Sequence, residues 1–340
     1  MIPPGAAHLA RVRQRLAVGA PLDLTRAAVA GGSPQALALA VALAETGVAV
    51  VLIEEDRWDV ERAQDALTRA GKGSGITLHS DPAAADGAEA VIEASGRDAG
   101  LRAALLGGMA RVAPGALLAS LGPGDLRADL PAPIALIDQP GEGVIEILNG
   151  SDLRAEGLAR RLGALPVRVE RFLGAELVAA LEDEAEALVF EGSTPWDIDA
   201  AAEAVGFALG PCAAQDLRGL DRAYARHRLT GHPLPVVDRM VPEGRLGRKG
   251  GVGWYRYPGG GGRVIDPLVE DLAREEAHFA GVTPRAISDS EIAARLSRAL
   301  LRAAKGLVAE PGVIDLLSVL ACGFPADTGG VLFAAQPLDL

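Results

Sequence analysis

A turn of small residues near the beginning of the chain has the composition of a phosphate-binding loop. Gly31, Gly32, Ser33 and Ala36 lie between a short apolar run and a strong helix-forming stretch. In a strand–turn–helix unit, such residues let the backbone approach a pyrophosphate at the N-terminus of the helix. Glu54 ends the next apolar run, where a carboxylate can accept hydrogen bonds from a ribose and repels a 2′-phosphate. The pattern predicts a dinucleotide site that favours NAD over NADP.

This turn departs from the usual Gly-x-Gly-x-x-Gly pattern. Counted back from Gly47, the three glycine places fall on Gly31, Ser33 and Ala36. Alanine is an ordinary variant at the third place, but Ser33 puts a side chain where the phosphates approach. Pro34 has no backbone N–H to donate. Two interpretations stay open, namely weak binding of NAD and a Rossmann turn that binds no nucleotide.

The elements that must hold this turn follow a strand–helix–strand order. Ala27–Ala30 and Val48–Ile53 are apolar runs typical of buried parallel strands, and Ala36–Glu45 between them is a strong helix former. Later runs predict further strands, at Ala90–Ala94, Ala116–Ser120, Pro133–Ile137, Val144–Ile147 and Val167–Glu170. After a lead-in segment over residues 1–24, we expect an α/β Rossmann-like doubly wound domain over residues 25–170.

From residue 171 onward the pattern becomes mostly helical. Leu173–Glu191 reads as a long amphipathic helix, whereas Gly244–Gly262 is too rich in glycine for a helix and predicts an ordered loop or a linker. A weak repeat links Ile198-Asp199 and Gly206-Phe207 to Ile314-Asp315 and Gly323-Phe324, about 116 residues later. On its own, this repeat leaves duplication and chance equally open.

Composition excludes several classes of protein. The 340 residues include 33 Lys and Arg against 45 Asp and Glu, a net charge of −12 that argues against an electrostatic grip on nucleic acid. Cys212 and Cys322 are the only cysteines, so we expect neither a disulfide framework nor a metal site. The longest apolar stretch, Ala36–Ala44, is half of a bilayer span, and the first residues lack a signal-peptide pattern. We expect a cytoplasmic protein with no membrane span.

Four motifs give the chain a family resemblance. They are Gly210–Asp221, Gly247–Tyr257, Pro284–Ile292 and Gly323–Gly330. The first two resemble the C-terminal domain of 3-hydroxyacyl-CoA dehydrogenases, and the last two resemble its second copy in multifunctional β-oxidation proteins, without their hydratase segment. The resemblance implies a Rossmann domain followed by a duplicated all-helical region, with copies over residues 171–265 and 266–340. It also implies NAD as cofactor and an acyl-CoA-type substrate in fatty-acid metabolism.

The catalytic places of that family can be compared with this chain one by one. The family uses a histidine as base, a glutamate that orients it, and a serine and an asparagine on the substrate oxygen. The resemblance carries these roles onto Leu136, Glu146, Pro123 and Ala175. Only Glu146 keeps its residue type, and no histidine occurs between residues 80 and 226.

One residue offers a replacement base. Asp138 lies two residues after Leu136, so on a strand the two side chains point to the same side. Burial and the neighbouring Glu146 would raise the pKa of this carboxyl and let it take a proton. The function therefore stays divided between an NAD-dependent dehydrogenase and a non-catalytic descendant that binds acyl-CoA, a nucleotide or a partner protein. A repurposed enzyme is a third hypothesis that no residue supports.

The duplication also predicts an assembly. A single helical copy in this family buries its apolar face against the same domain of a second subunit. Here Leu173–Glu191 and Ile292–Leu307 supply amphipathic helices to the two copies, so the chain can cover that face by itself. Tethering makes the contact intramolecular, and we therefore expect a monomer.

Overall fold

A computed structural model describes residues 3–122, 126, 134–231 and 234–336. The chain divides into two compact units. One is the α/β unit, Arg13–Phe172, and the other is the helical unit, which combines Met1–Val12 with Leu173–Leu340. The segment 1–24, expected as a lead-in with a helix over Ala7–Leu16, contains helix α1 (Pro4–Leu16), whose first part groups with the helical unit.

The described part of the α/β unit contains one eight-stranded sheet. Its strands are β1 (Arg26–Ala30), β2 (Ala49–Ile53), β3 (Ile76–His79), β4 (Ala90–Glu93), β5 (Leu117–Leu121), β6 (Ile134–Gly141), β7 (Val144–Leu148) and β8 (Leu165–Val169). The spatial order is β3-β2-β1-β4-β5-β6-β7-β8, and every neighbouring pair is parallel except β6 and β7. The connecting helices are α2 (Pro34–Glu45), α3 (Arg57–Ala70), α4 (Ala99–Val112) and α5 (Arg154–Arg161).

The central strands are buried on both faces, as their continuous apolar runs predict. Val29 and Leu52 pack with α2 on one face, and Val51 and Leu136 pack with Leu106 of α4 on the other. The doubly wound fold class is therefore confirmed.

Strands β3, β6 and β8 differ from the sequence prediction, and β6 extends to Gly141, beyond the predicted end at Ile137. Strand β3 was not predicted, because its residues alternate between half-buried and exposed at the edge of the sheet and form no continuous apolar run. Strand β8 begins at Leu165, earlier than the predicted Val167, and includes Pro166. A proline lacks the N–H of a ladder bond, but β8 is also an edge strand, where this is tolerated.

The helical unit is formed by α-helices with little sheet. Its elements after residue 172 are α6 (Leu173–Phe190), α7 (Pro195–Ala204), α8 (Pro211–Arg218), α9 (Leu220–Thr230), α10 (Pro235–Met240), β9 (Tyr255–Arg256), β10 (Val264–Ile265), α11 (Pro267–Phe279), α12 (Asp289–Gly306), α13 (Pro311–Cys322) and α14 (Val331–Ala334). The segment Gly244–Gly262 is ordered, as predicted, and carries β9. None of the helices that the structure describes is long and apolar enough to cross a membrane.

The arrangement of the helices agrees with the duplication that the family resemblance implies. Helices α6 and α12 each have 18 residues, and the helix that follows each of them, α7 or α13, begins with proline. Helix α6 packs on α12 and α13, while α12 packs on α7, so each copy's first helix contacts the other copy's second. The rings of Phe207 and Phe324 meet edge to face at 5.5 Å between centroids. The two copies therefore pack on each other within one chain.

Candidate functional site

The glycine turn between β1 and α2 makes a close approach that only glycine permits. Gly31 has a φ of +118°, and a Cβ there would lie 2.5 Å from the Cα of Ser95. Its amide donates to the carbonyl of Ile53 at 2.8 Å. The turn thus passes directly over the residues that follow β4, at the carboxyl end of the sheet, where ligands of this fold bind.

Ser33 and Pro34 shape the N-terminus of α2. The Ser33 hydroxyl accepts a hydrogen bond from the amide of Ala36 at 3.0 Å and donates one to the carbonyl of Ala94 at 2.8 Å. Pro34 is the first residue of the helix and has no amide hydrogen. The chain itself therefore uses one of the donors that a pyrophosphate needs and lacks another.

Glu54 lies beside the turn and is only 5% exposed. Its Oε2 accepts a hydrogen bond from the amide of Gly32 at 2.7 Å. Its Oε1 accepts two, from the amide of Asp56 at 3.0 Å and from Nη2 of Arg97 at 2.6 Å. The structure thus brings together the predicted residues Gly31, Gly32, Ser33, Ala36 and Glu54. It adds Arg97, which sequence reasoning missed; the signal was a cation just beyond the end of β4.

A second ion pair lies below this turn, fully inside the α/β unit. Nε of Arg102 donates to Oε2 of Glu93 at 2.7 Å, and the Ser120 hydroxyl donates to the same oxygen at 2.7 Å. Oε1 of Glu93 accepts from the amide and the hydroxyl of Ser95, at 2.7 Å and 2.6 Å. Every member is hydrogen-bonded, so the cluster fixes Ser95, the residue over which Gly31 passes.

The residues present fit a dinucleotide in part. Gly31 provides the close approach, and Glu54 stands where a ribose would be held. Against this, Ser33 and Pro34 reduce the donors for the phosphates, and Arg97 occupies an acceptor of Glu54. NAD, if bound, would supply the hydride acceptor, and these residues would hold its adenosine and phosphate end.

The positions that correspond to the family's catalytic residues lie in three different environments: the apolar core, the surface and a pair of neighbouring strands. Leu136 is completely buried in β6 and packs in the apolar core, where its side chain offers no proton acceptor. Asp138 stands opposite Glu146 across the antiparallel pair β6–β7, and both are buried. Ala175 is exposed in the first turn of α6. Pro123 lies outside the described residues.

The helical motifs carry structure around two buried carboxylates. Asp216 accepts hydrogen bonds from the amides of Trp254 and Tyr255 and from the hydroxyl of Tyr257, each at 2.9 Å. Asp199 accepts from the amides of Cys212 and Ala213 at the start of α8. Burial raises the pKa of both carboxyls to about 6 and raises the pKa of the Cys212 thiol. These motifs contribute hydrogen bonds to the fold, and the burial of Cys212 disfavours the thiolate, which is the nucleophilic form of cysteine.

The described residues contain no group of three or more His, Cys, Asp or Glu side chains arranged to hold a metal ion.

Comparison with known proteins begins with the helical unit. Residues 172–257 match the model of the 3-hydroxyacyl-CoA dehydrogenase C-terminal domain. A peroxisomal bifunctional enzyme of Danio rerio is 28% identical over 94% of this chain and 52% of its own length. The peroxisomal bifunctional enzyme of Cavia porcellus is 31% identical over 50% of this chain and 27% of its own. The chain thus spans about half of the first relative, and its matches to other curated relatives cover about a quarter of their length.

Solved structures share the fold over most of the chain. The dehydrogenase part of multifunctional enzyme 1 from C. elegans has a TM-score of 0.62 at 19% identity, covering 91% of this chain and 81% of that one. A 3-hydroxybutyryl-CoA dehydrogenase from Escherichia coli has a TM-score of 0.65 at 19% identity, covering 89% and 90%. At such identities the likeness concerns the fold.

Fold and site together define a class, a Rossmann-like doubly wound domain joined to a duplicated helical region. The chain resembles the 3-hydroxyacyl-CoA dehydrogenase family in sequence and fold, and residues 172–257 match the model of that family's C-terminal domain. The resemblance expected from the four motifs is confirmed.

Proposed function

We propose that this chain is a member of the 3-hydroxyacyl-CoA dehydrogenase family that binds acyl-CoA-type ligands and has lost ordinary dehydrogenase turnover. The observation that carries the proposal is Leu136, an apolar side chain buried in the core at the place of the family's base. Oxidation of a 3-hydroxyl requires a group that takes the hydroxyl proton as the hydride leaves. Loss of a general base costs about 10²–10⁴ in rate.

The cofactor proposal follows from the turn. Gly31 and Glu54 favour NAD over NADP, while Ser33 and Pro34 weaken the hold on the phosphates. We expect NADH to bind with a dissociation constant in the high micromolar to millimolar range, roughly −4 to −6 kcal/mol. A low-micromolar constant measured by calorimetry would contradict this expectation.

The alternative is a dehydrogenase with a relocated base, and one observation favours it. Asp138 and Glu146 are register partners across β6 and β7, so their side chains lie on the same face of the sheet. A carboxylate at this place is of the residue type that can take a proton from a substrate hydroxyl. In that case Asp138 takes the substrate proton and Glu146 is a positioning residue.

Two measurements separate these candidates. Calorimetric titration with acetoacetyl-CoA tests ligand binding, and the loss of NADH absorbance on adding acetoacetyl-CoA tests reduction of the ketone to the 3-hydroxyl. We expect acetoacetyl-CoA to bind and NADH to remain unoxidised. Turnover that disappears in Asp138→Asn but survives in the control Asp152→Asn would establish the relocated base. Turnover that survives Asp138→Asn would contradict both candidates, and absence of acetoacetyl-CoA binding would contradict the first.

The proposal includes a monomeric, cytoplasmic chain. Helix α6 of the first copy packs on α12 and α13 of the second, and α12 packs on α7 of the first. This packing within one chain supports a monomer. Light scattering coupled to size exclusion should give a mass near 34.9 kDa. A doubled mass that persists on dilution to nanomolar concentration would show that another surface pairs two chains. Fractionation of the source cells tests the location.

A further inference from the structure

The guanidinium of Arg97 donates a hydrogen bond to the carboxylate of Glu54, the residue expected to bind a ribose. Arg97 follows β4 in the chain, and its side chain reaches Glu54 at 2.6 Å and Glu55 at 3.3 Å. The Arg97 side chain is 29% exposed, whereas that of Glu54 is 5% exposed. The pair is thus partly buried. A charge-assisted hydrogen bond is stronger in such an environment than on a fully exposed surface.

The hydrogen bonds of Glu54 show what this contact displaces. A carboxylate offers about four acceptor positions, two on each oxygen. Oε1 already uses two, for Asp56 and Arg97, and Oε2 uses one, for Gly32. A ribose diol needs two acceptor positions from such an acid, so it cannot be held by both hydroxyls while Arg97 stays.

We propose that Arg97 is a specificity-determining residue that occupies the ribose subsite of the nucleotide site and so disfavours dinucleotides. Arg97 satisfies the carboxylate in the way that a ribose diol would. A dinucleotide must first displace this guanidinium from Glu54. The free energy needed to break the ion pair makes binding of the dinucleotide less favourable. The inference rests on the proposed function only in taking the glycine turn as the nucleotide site.

Removal of the guanidinium should therefore improve binding. In Arg97→Ala, Glu54 keeps the amides of Gly32 and Asp56, so the turn retains its shape, but the carboxylate regains a free acceptor. We expect the dissociation constant for NADH to fall at least tenfold. ADP-ribose, which lacks the nicotinamide, should show a similar gain, because the contact concerns the adenosine side of the ligand.

The experiment is a calorimetric titration of the whole chain and its variants with NADH and ADP-ribose. The matched control is Arg154→Ala, which removes another arginine of the α/β unit that pairs with an acid, Asp152, at 2.7 Å. This variant should bind NADH as the unmodified chain does. In the double variant Arg97→Ala/Glu54→Gln, the gain should disappear, because the acceptor that the ribose would use has been weakened.

Three outcomes would overturn the inference. They are unchanged NADH binding in Arg97→Ala, weaker binding in that variant (which would make Arg97 a ligand contact), and an equal gain in Arg154→Ala. Binding of acetoacetyl-CoA to the unmodified chain is measured in a separate titration. The proposed function can therefore stand when this inference fails, and it can fail when this inference stands.

Discussion

Each of the two helical copies contains a buried aspartate that accepts three hydrogen bonds, but the donor of the third bond comes from a different part of the chain in each copy. In each, an aspartate at the fifth position of a proline-initiated helix, Asp199 or Asp315, is buried and accepts two amides from the start of a later helix. The third contact differs. In the first copy it is the hydroxyl of Tyr255 at 2.8 Å, and in the second it is Nε2 of His8 at 3.0 Å.

The two copies differ in the segment that supplies the third hydrogen-bond donor. Tyr255 belongs to the glycine-rich segment within the first copy itself, whereas His8 lies on α1, outside both copies and before the α/β unit. The fit of α1 is close, because a Cβ at Gly5 would lie 2.3 Å from the amide nitrogen of Gly329. A duplicated core can thus be closed by unrelated segments, provided that the buried carboxylate keeps a donor.

The largest effects should come from removing either carboxylate. Asp199→Ala leaves two buried amides without this acceptor, and Asp315→Ala leaves two partly buried ones. Each change should lower the free energy of unfolding of the helical unit by about 3 kcal/mol. Urea unfolding followed by tryptophan fluorescence measures this, since Trp254 is buried in the helical unit.

Asparagine at these positions sharpens the comparison. Oδ1 of Asp315 accepts both amides, whereas Asp199 divides its two amides between Oδ1 and Oδ2. Asparagine keeps one oxygen, so Asp315→Asn should cost about 1 kcal/mol and Asp199→Asn about 3 kcal/mol. Equal costs would show that the two carboxylates are used in the same way.

The next effect concerns pH and belongs to the first copy alone. Glu186 is buried on α6, and burial raises the pKa of its carboxyl to about 8. Folding therefore favours the protonated acid, and this contribution is lost as the pH rises from about 4.5 through 8. Glu186→Gln should make the helical unit about 2 to 4 kcal/mol more stable than the unmodified chain at pH 9.

The gain from Glu186→Gln should become small at pH 5, where the native carboxyl is protonated in the folded chain. Thermal unfolding of both proteins at the two pH values checks this. Glu184→Gln is the control on the same helix, because Glu184 accepts hydrogen bonds from Arg295 and Arg302. A gain from Glu186→Gln that is equal at both pH values would argue against a buried, protonated Glu186.

The third contacts should matter less. His8→Ala removes the hydrogen bond to Asp315 and a ring stacked on Phe333 at 4.4 Å, and should cost about 1 to 2 kcal/mol. Tyr255→Phe removes one hydroxyl contact with Asp199 and should cost about 1 kcal/mol. Amide hydrogen exchange can assign each loss, since His8→Ala should increase exchange in α14 and leave α8 protected. Faster exchange at both helices would mean that the two copies unfold as one.

The smallest expected effect measures the contact between the copies. Phe207 and Phe324 meet edge to face, and such pairs contribute about 0.5 to 1.5 kcal/mol beyond their buried area. A double-mutant cycle with Phe207→Leu and Phe324→Leu should give a coupling of about 0.5 to 1 kcal/mol. Additive single effects would place the energetic contact between the copies elsewhere.

Much of the fold could be predicted from local pattern. The order of strand, glycine turn, helix and strand, and the burial of continuous apolar runs, follow from residue types over short distances. Strand β3 escaped because an edge strand needs no apolar run. The role of α1 was not predicted, because His8 and Asp315 lie 307 residues apart in the sequence. The local sequence around either residue does not indicate that the two are in contact.

The site was predicted less completely for the same reason. The positions of Gly31 and Glu54 follow from the turn, and the closeness of Asp138 to Glu146 was expected along the chain. The contact of Arg97 with Glu54 depends on which strand lies beside β1 in the sheet and on how far a flexible side chain reaches. Spacing alone carries no such information.

The division of the chain at Val12 and Leu173 makes the α/β unit an insertion into a discontinuous helical unit. On a ribosome that adds about 5 to 20 residues per second, α1 emerges before the α/β unit and waits on the order of 15 to 60 seconds for α13 and α14, which it contacts. During that interval the intervening unit can fold by itself. The second helical copy can therefore assemble only after the α/β unit has been synthesised, and deletion of α14 would remove Phe333, on which the His8 ring of α1 stacks.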